Sequence, residues 1–171
     1  MAEAVRLRPV RASDLDLLES WRATADTDDP YGFFGHRAST LRERFAVNGL
    51  LAGDEGFLLV ELADGTLVGE VSWHGVDYGP PPASRAANIG IALRPEHRGK
   101  GYGTAAQRLL AGYLFAHTLV HRVEASTDVT NAAEQRALEK AGFTREGVLR
   151  GAQWRAGAWH DLVSYARLRG D

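Results

Sequence analysis

Residues 5–10 alternate apolar and charged positions and read as a first strand. Leu15, Leu18 and Trp21 then form a helical stripe, and Ser13 with Asp16 has the spacing of a capping box at its start. "DTDDPYGFFGHR" is a polar, aromatic loop. Thr40 with Glu43 predicts a second cap and a short helix to about residue 47. Residues 56–62 and 66–76 flank Asp64-Gly65, a hairpin signal. "YGPPPAS" is a loop, because three prolines exclude a paired strand. Residues 86–93 alternate again and are strand-like.

A helix is predicted over about 103–117, a strand over 120–126, and a helix over 131–141 with Gly142 as its C-terminal cap. A last hairpin pairs residues 148–155 with 159–168 around Ala156-Gly157. The order is strand, two helices, three antiparallel strands, helix, strand, helix, two strands. It predicts an α/β (α+β) sandwich on a mixed sheet, a single domain over residues 1–171 with no repeat or linker.

Composition narrows the function. The 171 residues suffice for one core, and 44% apolar with 25% charged residues is an ordinary globular balance. A net charge of −2 argues against general nucleic-acid binding. Without cysteine there is no disulfide, thiol nucleophile or thiolate metal site. The N-terminus lacks an apolar signal core, and no apolar run approaches the roughly 20 residues of a membrane span. A cytoplasmic protein without membrane contact is the expectation. The six histidines show no H-x-x-x-H pair with a nearby carboxylate that would suggest zinc, so no metal is expected.

The stretch that asks for chemistry is "RPEHRGKGYGTAAQRLL", residues 94–110. A nucleotide P-loop fails, since Arg94 and Gly101 occupy the positions that require Gly and Ser or Thr around Lys100. A dinucleotide fingerprint competes: Gly101, Gly103 and Ala106 spell G-x-G-x-x-A, with Glu124 near the acidic position. That fingerprint follows its strand at once, however, whereas here a basic loop intervenes and antiparallel strands precede. A third reading is a pyrophosphate held on bare amides at a helix start. The plain alternative is a basic, solvated turn before an ordinary helix.

The run Arg98-Gly99-Lys100-Gly101-Tyr102-Gly103 resembles the R/Q-x-x-G-x-G/A motif of the GNAT superfamily of acyl-CoA-dependent N-acyltransferases. The preceding "ANIGIALRPEHRGKGYG" and the downstream "NAAEQRALEKAGFTREGVLR" are similar to that family as well, and "WHDLVSYARL" resembles its RimJ/RimL-like branch. The resemblance implies a mixed, mostly antiparallel, splayed sheet flanked by helices, with acetyl-CoA as co-substrate in the gap after the fourth strand. It implies an N-acetyltransferase acting on a primary amine by direct attack. A non-catalytic acyl-CoA-binding module of the same fold is the rival.

By the same resemblance, Arg98, Gly99, Lys100, Gly101, Tyr102, Gly103 and Thr104 would bind the CoA pyrophosphate. The backbone of Ile91, Ala92 and Leu93 would pair with pantetheine and polarise the thioester. Asn131 would touch the CoA arm; as an N-cap it could also serve its own helix. Asn88, Glu134 and Gln153 stand where relatives often carry Glu, Ser and a carboxylate. Proton handling is therefore sought at Glu134, near the leaving thiolate, and in the polar row Glu70, Ser72, His74 of the third strand. That row could equally be a solvent face. Glu70 or His74 is the expected base, His160 and Asp161 are reserves, and His97, His117 and His121 read as surface residues.

The acceptor would sit between the loop joining the first two helices and the final hairpin. Asp26, Asp28 and Asp29 could attract a cationic amine; Tyr31, Phe33, Phe34 and Trp154 could wall its pocket, or simply pack as core aromatics. The expected partner is an amine acceptor, a small molecule or peptide N-terminus, with no nucleic acid and no membrane. A homodimer is left open.

Overall fold

A computed structural model describes residues 5–24, 28–36 and 38–171. Its chain order is β1 (Val5–Pro9), α1 (Leu15–Ala23), α2 (Leu41–Asn48), β2 (Glu55–Leu62), β3 (Leu67–Asp77), β4 (Arg85–Leu93), α3 (Tyr102–His117), β5 (Arg122–Asp128), α4 (Ala132–Lys140), β6 (Thr144–Arg155) and β7 (Ala158–Leu168). The strands form one seven-stranded sheet in the order β1-β2-β3-β4-β5-β7-β6. Neighbours are antiparallel apart from β4 and β5.

The turn residues explain the hairpins. Gly65 (φ +89°) closes β2 onto β3, and Ala156 and Gly157 (φ +49° and +79°) close β6 onto β7 with the twist of a primed turn. At the end of α4, Gly142 at φ +93° lets its own N–H reach Glu139 O and the Phe143 N–H reach Leu138 O, a Schellman closure. The start of α1 differs from the expected Ser13–Asp16 box. A 3-10 turn over Ala12–Asp14 precedes the helix, and the Asp14 carboxylate takes the Arg11 N–H at 2.7 Å while Arg8 grips it from β1. Thr40 does stand at the start of α2, but its side chain makes no capping bond.

Two cores lie on opposite faces of the sheet. Val60, Val71, Ile89 and Val123 pack with Ala106, Leu110 and Leu114 of α3 and with Leu138 of α4. Leu59 packs with Leu15 and Leu18 of α1 and Leu41 of α2 on the other side. The feature that positions a site is the parallel pair. β4 and β5 pair only at Ala87 with Val123 and Asn88 with Glu124. Beyond Asn88, residues 89–93 of β4 have no strand partner on their β5 side, while β5 continues against β7. The sheet splays into a V whose open end lies at the C-terminal ends of both strands.

Candidate active site

The helix that follows β4 begins at the open end of this V. Gly99 and Gly101 adopt left-handed φ values of +74° and +84°, which turn the chain sharply into α3. Gly101 is the N-cap and no side chain caps the helix. The first amides of a sixteen-residue helix thus face outward at its positive end, an arrangement suited to an anion. A Cβ on Gly103 would meet the side-chain tips of Leu93 and Ile91 at 3.5 and 3.7 Å. Helix start and unpaired strand end therefore lie side by side, so that an anion on the first would be continuous with an extended chain along the second.

The other wall is the turn from β5 into α4. Asn131 caps α4 by accepting the Glu134 N–H at 3.2 Å. The Glu134 carboxyl accepts a 2.7 Å hydrogen bond from Nε2 of Gln107, a fully buried residue of α3 whose Oε1 has no partner among the described residues. Burial pushes the Glu134 pKa up to about 7, partly opposed by the Gln107 amide. Both protonation states are therefore accessible near neutrality, beneath the gap. Just before the turn, Asp128 forms a buried pair with Arg155 at 2.6 Å. It also accepts from the N–H and hydroxyl of Thr130, and together these hold its pKa down at about 2 against the desolvation that opposes them.

The third-strand row is divided by the register. Glu70 lies opposite Ala92, at the open end of the V. It is partly buried, and desolvation raises its pKa while Arg22 opposes the rise. Ser72 lies opposite Gly90, within the unpaired stretch, and His74 opposite Asn88, where β4 still pairs with β5 and the V is closed. Four residues of strand separate His74 from Glu70, about 13 Å at the usual rise. His74 is exposed, so the structure does not bring it to the segment expected to hold the thioester.

Asn88 and Gln153 are engaged elsewhere. The Asn88 amide reaches Glu124 at 3.4 Å; Glu124 also accepts from the Tyr78 hydroxyl at 2.7 Å and from Arg122. Gln153 accepts from Arg155. His160 faces Asp128 and the Arg155 carbonyl, and Asp161 accepts the Gly151 N–H. Gln107, Asp128 and Arg155 escaped the sequence reading. Each is a polar residue whose burial depends on a partner at least 27 positions away.

On the acceptor side, Asp26 lies outside the described residues. The Tyr31 hydroxyl donates to the Thr130 carbonyl at 3.2 Å, and the Arg155 guanidinium lies 5.9 Å from its ring centre. Phe33 packs edge-on to His36, and Phe34 is exposed. Trp154 does not join them. It stacks edge-to-face with Trp159 near the hairpin tip and is more than half exposed, so Arg155 reaches the loop in its stead. Among the described residues no cluster of metal-binding side chains occurs, and no helix is long and apolar enough to cross a membrane.

A family model described as acetyltransferase (GNAT) domain matches residues 4–144. The chain belongs to the GNAT family. A probable N-acetyltransferase of Bacillus subtilis (strain 168), YjcK, is 37% identical over 115 residues, covering 67% of this chain and 62% of that protein. The putative ribosomal N-acetyltransferase YdaF of the same strain is 36% identical over 129 residues, 75% of this chain and 64% of its own. The matched region thus spans less than two thirds of either relative. Among solved structures, spermidine N-acetyltransferase from Vibrio cholerae in complex with CoA and spermine superimposes with a TM-score of 0.80 at 24% identity, covering 96% of this chain and 95% of that one. This likeness establishes the fold. Mycobacterium smegmatis RimJ in complex with CoA-disulfide gives 0.78 at 26% identity over 98% and 83%. The GNAT assignment replaces the dinucleotide reading of Gly101, Gly103 and Ala106.

Proposed function

We propose that this GNAT protein transfers the acetyl group of acetyl-CoA to a primary amine by direct attack. The observation that carries the reading is the crevice in which the uncapped start of α3 meets the unpaired end of β4 at Gly103. In this reading the amides of residues 99–104 hold the pyrophosphate, with Lys100 adding charge. The pantetheine arm runs along Ile91, Ala92 and Leu93 and passes Asn131. A β4 amide stabilises the oxyanion as the amine adds to the thioester carbonyl. Glu70, beside Ala92 and with a raised pKa, takes the proton of the attacking amine. The C–S bond then breaks, and the CoA thiolate leaves near Glu134, which can return a proton to sulfur.

For the acceptor, the named relatives suggest amines of two kinds, a protein N-terminus and a polyamine. A further relative is the spermidine N(1)-acetyltransferase of Vibrio cholerae, 30% identical over 91 residues that cover 53% of this chain and 50% of that protein. The non-catalytic rival is disfavoured by family membership and by relatives named as N-acetyltransferases. Calorimetry with acetyl-CoA, and with NAD and NADP as controls, tests the site. Gly103→Val leaves the fold intact, since a Cβ there finds ordinary contacts, yet its methyl groups fill the crevice. Acetyl-CoA affinity is expected to fall at least tenfold. Unchanged affinity in the folded variant would overturn the assignment. Thiol release in a screen of polyamines and peptide N-termini then separates enzyme from binding module.

A further inference from the structure

Arg98 carries a guanidinium in the loop assigned to the pyrophosphate, yet the structure commits that group elsewhere. Its Nε donates to the Leu93 carbonyl at 3.1 Å, and its Nη2 to Asp29 at 2.9 Å. Asp29 belongs to the segment between α1 and α2. Its side chain is only 14% exposed, and its other oxygen accepts the N–H groups of Tyr31 and Gly32 at 2.9 and 3.0 Å. Two residues on, the Tyr31 hydroxyl is tied to Thr130 beside the start of α4. Residues 29–31 therefore span the open end of the V, fastened on the β4–α3 side by Arg98 and on the β5–α4 side by Thr130.

We infer that Asp29 and Arg98 are positioning residues for the acceptor: their ion pair latches the strap carrying Tyr31 across the cofactor gap, and Arg98 serves this latch in place of gripping phosphate. The chemistry divides accordingly. The backbone amides of the loop suffice for an anion and need no side chain. A guanidinium holding a carbonyl and a carboxylate in one plane keeps β4's end and the strap in a fixed relation. The acceptor wall then depends on the loop that receives the cofactor. The inference deepens the acetyl-CoA reading and rests on it only for the ligand named.

The test uses the full chain with Arg98→Gln, Asp29→Asn and the double substitution. Asparagine retains an oxygen for the Tyr31 and Gly32 amides but loses the charge that Arg98 needs. Hydrogen exchange of residues 28–36 is followed by mass spectrometry, and acetyl-CoA affinity by calorimetry. Each single variant is expected to speed exchange of the strap about fivefold, as loss of a partly exposed ion pair allows. The double variant should add little, because both changes break one link. Acetyl-CoA affinity should shift less than about threefold, against the tenfold or greater loss expected of a phosphate ligand. For any amine that supports thiol release, KM for the amine should rise in both variants while KM for acetyl-CoA stays. Unaltered exchange in Arg98→Gln, or a tenfold loss of acetyl-CoA affinity in that variant alone, overturns the latch. Failure of the wild-type chain to take up acetyl-CoA would sink the acetyl-CoA reading, while the exchange comparison would still judge the latch.

Discussion

Replacing Glu134 with Gln should make the protein more stable, and increasingly so as the pH rises. The carboxyl is partly buried between α3 and α4, and its pKa stands at about 7 against an ordinary value of 4.5. Below pH 4.5 the folded and unfolded chains both hold the proton, and the group costs nothing. Between pH 4.5 and 7 the folded chain keeps a proton that the unfolded chain has released, so stability declines with rising pH. Above 7 the decline is complete. The shift from 4.5 to about 7, at about 1.4 kcal/mol per pH unit, amounts to about 3.5 kcal/mol, or about 3 kcal/mol once solvent screening of the partly exposed carboxyl is allowed for. The amide has no charge to desolvate, and its oxygen can still accept from Gln107 Nε2. The cap is preserved, because Asn131 bonds the backbone N–H at this position. For a chain of this size the melting-temperature advantage of the variant should grow from near zero at pH 4 to about 6–12 °C at pH 8. Thermal melts of both proteins across that range check it. A constant offset, or an advantage that shrinks with pH, would show that Glu134 is solvated and carries an ordinary pKa. A carboxyl retained at such a cost above neutrality is what a site that handles protons would keep.

Two further outcomes follow from the same geometry. Glu70→Gln should lower kcat/KM for the amine by about 10²-fold with acetyl-CoA affinity unchanged, whereas His74→Ala, at the closed end of the V, should leave both near wild type; equal losses in the two would return the base to the whole row. Arg155→Met should destabilise the fold by about 3–5 kcal/mol, measured by urea unfolding, because it strands the buried Asp128 carboxylate. In the wild type, Asp128's lowered pKa makes its contribution present above about pH 4 and lost as the pH falls through about 2, so the gap between the two proteins should narrow in strong acid.

The parts of the fold that were legible in the sequence are those decided within a few residues. Asp64-Gly65 and Ala156-Gly157 specify their turns through left-handed backbone, and Asn131 and Gly142 bracket α4 through bonds to residues three to five positions away. Where a distant residue intervenes, local pattern misleads. The Ser13–Asp16 spacing is a valid cap in isolation, but Arg8 on β1 draws Asp14 into that role. The start of β6 at Thr144, four residues before the alternation becomes visible, is set by pairing with β7 along a strand exposed on much of both faces, where no buried side imprints a period.

The candidate site divides along the same line. Its backbone components follow from glycines at a strand-to-helix turn, which leave a mark in sequence, and from a strand that outruns its parallel neighbour, which only the family resemblance implied. Its proposed proton-handling side chains are visible in sequence only as candidates. Alternation places Glu70 and His74 on one face of β3, yet only the register says that one lies beside Ala92 and the other beside Asn88. Nothing near Glu134 in the chain announces that Gln107 will bury it, and nothing near Gln153 announces that Arg155 and Asp128 will claim the space around it. A carboxylate is a base or acid of use only when its surroundings shift its pKa toward the working pH, and those surroundings come from elements joined by tertiary packing. Chemistry assigned by position in a motif therefore transfers safely for main-chain contacts. For side chains it has to be rebuilt from burial and partners, which within the row the sequence offered favours Glu70 over His74 and supports Glu134 as the second proposed proton carrier.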